Sequence, residues 1–215
     1  MTALLVRVIV VAGAAYLVGS IPTAYIMGRI VKGIDIRNFG SGNVGATNVM
    51  RVLGPAAGIA TLAIDILKGY LVVALLPTWA SADSARLPLW QILSCIGVIA
   101  GHNWMIFLRF EGGKGVAATA GAFLALAPLA SLSAIGLWGI VVALTRYVSL
   151  GSIIAGLSLP VFMLLFHKPI AYVWFSLFLA LALTLKHRGN LRRLIEGTER
   201  KIGQTETLNT TNIEG

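Results

Sequence analysis

The chain is a succession of long apolar stretches separated by short polar breaks, and this pattern constrains its fold more than any other feature. A hydrocarbon core about 30 Å thick takes about 17 to 25 apolar residues of helix to cross. Seven stretches are read as spans, at 3–30, 52–76, 88–108, 115–129, 131–146, 151–167 and 170–185. A composition of 57% hydrophobic and 12% charged residues over 215 positions, with a mean hydropathy of +0.86, excludes a soluble domain of this length. The expectation is an all-α integral membrane protein with one membrane-embedded domain, residues 1–202, and a polar, disordered cytoplasmic tail at 203–215. The first twenty residues have the look of a signal peptide, but the apolar run continues to about Ile30 without a clear cleavage site, so retention is expected.

The formal net charge of +9 raises nucleic acid as a partner. The basic residues lie in the breaks between apolar runs rather than on one soluble face, so they are read as topology signals and anion ligands. With seven transmembrane helices, the amino terminus outside and the carboxyl terminus cytoplasmic, thirteen of seventeen Lys and Arg fall on the inner side, leaving Arg7, Arg86 and Lys168 outside and Lys68 within a span. The fourth and fifth spans are short and could form one tilted helix from Val116 to Leu144, but that would move the last basic cluster to the outer face. Pro128 and Ser131 mark the turn between them. Asp65 and Lys68 stand three apart in the second span, where an isolated charge costs at least ~2.5 kcal/mol, so they are expected to pair. The single cysteine, Cys95, excludes an intramolecular disulfide.

The polar breaks on the inner side carry the chemistry. The first contains Gly40-Ser41-Gly42-Asn43-Val44-Gly45-Ala46-Thr47-Asn48, then Arg51. Its glycines allow tight turns that present successive amides to an anion, Ser41, Asn43, Thr47 and Asn48 add side-chain donors, and a guanidinium suits phosphate geometry. The second contains Gly101-His102-Asn103-Trp104 and then Glu111-Gly112-Gly113-Lys114-Gly115. Free amides at a helix amino terminus beside an ammonium suit an oxyanion, while the Walker A spacing is absent. His102 is read as a hydrogen-bonding residue at a helix end. Arg146, Ser149 and Ser152 form a third group, for which helix capping is the plain structural reading. The last is Lys186-His187-Arg188-Gly189-Asn190, where His187 and Asn190 exceed what a basic anchor needs. No histidine is followed by Asp at the fourth place, and no ligand cluster suggests a metal.

These segments resemble the acyl-phosphate:glycerol-3-phosphate acyltransferase family, the PlsY type, from Gly19-Ser20-Ile21-Pro22 to Glu199. The runs Gly40 to Asn48, Gly112 to Val116, and Lys186 to Asn190 with Gly197-Thr198-Glu199 carry the resemblance most specifically. It implies a bacterial cytoplasmic (inner) membrane enzyme with its active site on the cytoplasmic face. Acyl phosphate and glycerol 3-phosphate would be the substrates, and 1-acylglycerol 3-phosphate and inorganic phosphate the products. No cofactor or metal, no nucleic acid, and no acyl-CoA or acyl carrier protein would be required. Ser41, Lys114, His187 and Asn190 are the expected catalytic residues. Gly42, Asn43, Gly45, Ala46, Thr47, Asn48, Arg51, Gly113, Gly115 and Ser152 are the expected substrate-binding ones. Met105 and Glu111 depart from the family pattern, and Glu111 puts a negative charge beside the expected phosphate site. An organic-phosphate or anion transporter is the alternative, since cationic glycine-rich sites in helix bundles also suit translocation, although no internal repeat supports it.

Overall fold

The computed structural model describes residues 2–80 and 86–204. Among these the regular structure is helical: α1 (Thr2–Gly19), α2 (Thr23–Lys32), α3 (Ala46–Leu53), α4 (Pro55–Ala80), α5 (Leu87–Asn103), α6 (Val116–Leu126), α7 (Pro128–Thr145), α8 (Val148–Leu165), α9 (Ile170–Lys186) and α10 (Arg188–Ile195), with short 3-10 turns at Ile36–Asn38 and Ile106–Leu108. Helical segments stand at all seven positions read as spans. Five are long and apolar enough to cross a membrane, and α9 joined to α10 across a 60° bend makes a sixth.

The fourth expected span differs. Instead of 115–129, α6 has 11 residues, about 16 Å at 1.5 Å per residue, roughly half a hydrocarbon core. It ends at Leu126, with Ala127 between it and Pro128, which opens α7, so the single tilted helix does not form. Proline lacks the backbone donor that a helix interior uses and is favoured in a first turn, where Pro128 stands in α7. Ala127 and Ala130 are fully buried, so this break lies inside the molecule. At the first span, Pro22 separates α1 from α2 in the same manner. The expected tail at 203–215 lies outside the described residues except for Gly203 and Gln204.

Small residues set how closely the helices approach. A Cβ on Gly69 or Gly121 would collide with the carbonyl oxygens of Ala118 or Ile66, so α4 and α6 meet backbone to backbone. Gly19 and Gly101 do the same for α1 and α5 against Val98 and Tyr16. Lipid tails give helices no hydrophobic reason to associate, so this close packing supplies the attraction. The main core includes Val73, Cys95, Val98, Phe123 and Met163, with Phe123 stacked on Phe175 at 5.8 Å. A second core of Ile34, Ile36, Val44, Val49, Val52, Met105 and Leu108 lies between the first two polar breaks and binds them into one body.

Inside the bundle Lys68 and Asp65 pair at 2.7 Å, both buried, as expected. Thr23 Oγ1 donates to Asp65 at 2.9 Å, and Lys68 Nζ donates to the Ile21 carbonyl at 3.1 Å, at the break made by Pro22.

Candidate active site

The Gly40 to Asn48 segment is shaped from beneath by Asn48. Its Oδ1 accepts from the Ser41 amide at 2.8 Å, and its Nδ2 donates to the carbonyls of Ile36 and Phe39 at 3.3 and 3.0 Å. An amide has two N–H donors, and both are engaged, so Asn48 builds the loop rather than offering a donor to a ligand. Gly40 and Gly42, at φ +65° and +70°, occupy backbone space that L side chains avoid. Ser41, Gly42 and Thr47 stay exposed, Asn43, Gly45 and Ala46 half-buried, and Gly45 caps the amino terminus of α3.

The Glu111 to Gly115 segment caps α6, with Gly115 at φ +80°. Lys114 Nζ donates to Asn190 Oδ1. Asn190 Nδ2 in turn donates to Glu199 Oε1 at 2.6 Å, an oxygen that also accepts from Ser149 Oγ at 2.6 Å, while Arg193 Nε donates to Oε2 at 2.8 Å. Segments 76 and 50 residues apart thus meet in one cluster. Burial raises the Glu199 carboxyl pKa, but hydrogen bonds from Ser149, Asn190 and Arg193 outweigh it and hold it below the ordinary value. Burial lowers Lys114 to about 8; Glu199 opposes this, and the charges of Arg193 and Arg51 add to it. Arg51 is therefore an electrostatic neighbour of Lys114.

His187 closes the cluster at the α9–α10 bend. Its Nδ1 lies 2.9 Å from the Leu183 carbonyl, which can only accept, so the proton sits on Nδ1 and Nε2 keeps a lone pair. Burial, then the charge of Lys114, lowers it to about 4. Beside Lys114 a groove of about 230 Å³ is lined by Ile99, Leu179 and Leu183 together with Asn103, Lys114 and Lys186.

Of the residues singled out in the sequence, Lys114, Asn190, His187 and Arg51 gather here, while Ser41 and its glycines form the neighbouring loop. Ser152 does not join them by hydrogen bond: its Oγ donates to the Val148 carbonyl at 2.8 Å. Ser149, given a plain capping role, is the α8 hydroxyl that reaches Glu199, and it does so because it sits one helical turn nearer the polar end. Glu199 lay in a recognised motif, but no spacing pointed to its three partners. Glu111 turns toward Arg37, pairing at 3.0 Å, while Arg37 also holds Asp35 at 2.7 Å. The hydrogen bond from Arg37 keeps Asp35 below its ordinary pKa, and Asp35 raises Arg37.

A multi-pass helix bundle that brings an ammonium, an amide, an imidazole and two helix amino termini together beside a partly apolar groove is an integral membrane protein suited to an amphiphilic phosphate. The chain matches the family described as glycerol-3-phosphate acyltransferase over residues 9–197, and it belongs to that family. It is 49% identical to glycerol-3-phosphate acyltransferase 2 of Moorella thermoacetica, over 88% of this chain and 95% of the relative. With the glycerol-3-phosphate acyltransferase of Clostridioides difficile it shares 44% identity over 91% and 96% of the two chains. Its fold resembles crystal structures of PlsY, described as an integral membrane glycerol 3-phosphate acyltransferase. The glycerol 3-phosphate form gives a TM-score of 0.80 at 34% identity over 91% of this chain and 96% of that one. The lysophosphatidic acid form gives 0.81 at 32% over 92% and 96%. Family membership sets the transporter alternative aside.

Proposed function

We propose that the protein transfers a fatty acyl group from acyl phosphate to the primary hydroxyl of glycerol 3-phosphate, releasing 1-acylglycerol 3-phosphate and inorganic phosphate without cofactor, acyl-CoA or acyl carrier protein. The observation that carries this reading is the Lys114–Asn190–Glu199–Ser149 cluster, with Arg51 and His187 beside it, at a groove that also offers apolar side chains. Phosphate and acyl chain are parts of the same donor, and the site provides for both.

Acyl phosphate is a mixed anhydride with a good leaving group, so positioning and charge compensation suffice without a covalent nucleophile. The glycerol oxygen forms a bond to the acyl carbonyl carbon as the bond from that carbon to the phosphate oxygen breaks. Ser41 with the amides of Gly45, Ala46 and Thr47, together with Lys114 and Gly115, holds the phosphate of the donor, while Gly42, Asn43, Asn48 and Gly113, whose amides donate within the protein, shape the two loops that surround it. Arg51, His187 and Asn190 orient glycerol 3-phosphate. Ser152, whose hydroxyl donates to the Val148 carbonyl and keeps its lone pairs, joins them in orienting glycerol 3-phosphate. An imidazole near 4 is a weaker base than a phosphate monoester, whose second pKa is about 6. The hydroxyl proton therefore leaves with a phosphate oxygen, and His187 Nε2 orients the acceptor by accepting from the secondary hydroxyl of glycerol 3-phosphate.

The enzyme is assigned to the bacterial inner membrane, with seven crossings, the amino terminus outside and the site on the cytoplasmic face. The experiment is phosphate release by the detergent-purified protein given palmitoyl phosphate, with and without glycerol 3-phosphate, and given palmitoyl-CoA instead. Release that needs both acyl phosphate and acceptor, with lysophosphatidate formed, is expected. Equal turnover of palmitoyl-CoA would overturn the donor assignment.

A further inference from the structure

The reaction assigned above needs Lys114 held in place, yet three of its near neighbours are glycines, which restrain a backbone least. What lies under them supplies the restraint. The Gly113 amide donates to the carbonyl of His102 at 3.0 Å. A Cβ on Gly113 would collide with His102 Nε2, and one on Gly112 would collide with the backbone of Asn103. A Cβ on Gly115 would come within 2.8 Å of Asn103 Oδ1. The loop therefore lies flat on the last turn of α5, with the imidazole filling the space a side chain at 113 would take.

That imidazole is itself backed by buried charge. His102 is 3% exposed, and its Nδ1 is buried without a hydrogen-bond partner, 3.8 Å from Asp65 Oδ1. Asp65 is fixed by Lys68 at 2.7 Å and Thr23 at 2.9 Å, and Lys68 by the Ile21 carbonyl. A buried polar group left unpaired is destabilising, so an apolar ring would serve better here if filling space were the only need.

We propose that His102 is a positioning residue for Lys114, transmitting the rigidity of the Asp65–Lys68–Thr23 cluster to the loop that carries the ammonium. The substrate does not touch it; it acts through Gly113 and the neighbouring backbone. This rests on the reading of the site given above.

The test is a double-mutant cycle on His102 and Gly113 in the purified full chain, read by equilibrium binding of glycerol 3-phosphate and by turnover of palmitoyl phosphate with acceptor. Gly113→Ala pushes its methyl group into the imidazole, and His102→Ala withdraws the support. Each is expected to lower kcat about 10- to 100-fold, as a misplacement of about 1 Å does, with the KM for palmitoyl phosphate little changed. In the double variant the methyl group finds the space vacated, so the loss should be no greater than that of the worse single change. Losses that multiply overturn the proposal, as does wild-type kcat in His102→Ala. His102→Gln, which keeps a planar polar tip, is expected to recover most of the turnover lost in His102→Ala and provides a second cycle should the alanine variant not accumulate; Gln behaving no better than Ala overturns the role. Wild-type protein that binds glycerol 3-phosphate but does not turn over acyl phosphate condemns the assigned reaction instead, and the cycle is then read through binding alone.

Discussion

Lys114 is a lysine whose ordinary charge has been made conditional. Burial outweighs the nearby Glu199 and brings it to about 8, so the site loses a positive charge as the pH rises through that value. Transfer rate is therefore expected to fall on an alkaline limb near pH 8. Lys114→Arg should shift that limb beyond the measured range, because a guanidinium stays protonated. The same limb in wild type and arginine variant would remove the charge-compensation role. Lys114→Ala is expected to lower kcat about 100- to 1000-fold, as loss of an oxyanion donor does, with the protein still folded. His187 sits at about 4, lowered first by burial, so it is neutral throughout the ordinary range and its protonation should shape the rate only near pH 4. An acid limb near 6.5 that vanishes in His187→Ala would restore histidine as the base. At this scale the sequence was informative about cations and amides, whose chemistry is local. It said nothing of Glu199 engaging Ser149, Asn190 and Arg193, because that carboxylate acquires its meaning only from groups brought together by folding.

Between the residue and the whole molecule, the elements that matter are the seams. α6 is too short to be held by lipid matching alone, and its grip on α4 depends on the close approach at Gly69 and Gly121. Gly121→Leu should force the helices apart and lower the thermal midpoint by several degrees or abolish folded protein in detergent, consistent with overpacking that typically costs about 1–3 kcal/mol. Gly136→Leu, where a Cβ meets open space, should leave the midpoint near wild type and serves as the control. Equal behaviour of the two would refute the seam. A second link joins α10 to α8 through Glu199, whose side chain is only 7% exposed. Glu199→Gln replaces an acceptor carboxylate with an amide half of which donates, so about 1.5–3 kcal/mol of stability should go with each charge-assisted bond lost. An unchanged unfolding midpoint would mean that the cluster is not built in this way. Periodicity and length located the helices well, including the break at Pro128, but the 11-residue length of α6 was hidden because the apolar run continues past Leu126.

At the scale of the whole molecule, the contacts bear on the proposed topology independently of the charge count. Lys114 follows α5, Ser149 opens α8 and Asn190 follows α9, yet a single chain of hydrogen bonds joins all three. Arg37, between α2 and α3, reaches Glu111, which precedes α6. The breaks after α2, α5, α7 and α9 must therefore lie at one face, and each helical passage between them must leave that face and return. α4 with α5, and α8 with α9, are complete excursions; α6 with α7 is an asymmetric one, turning at the buried Ala127–Pro128. Only α1 with α2 is left to place the amino terminus, and in the proposed topology this 31-residue apolar unit crosses once and puts it opposite. The thirteen cations in these breaks and the tail are the ground on which this face is proposed to be the cytoplasmic one. Cysteine labelling tests this directly, because the native Cys95 is fully buried and silent. In intact cells with a permeabilised outer membrane, Lys168→Cys should react with a membrane-impermeant maleimide, and Lys201→Cys only after the inner membrane is opened. Reversed labelling would invert the molecule and put the site outside. Labelling of both from outside would mean that α9, at 17 residues, turns back without crossing, and the carboxyl-terminal half of the site would then need another arrangement.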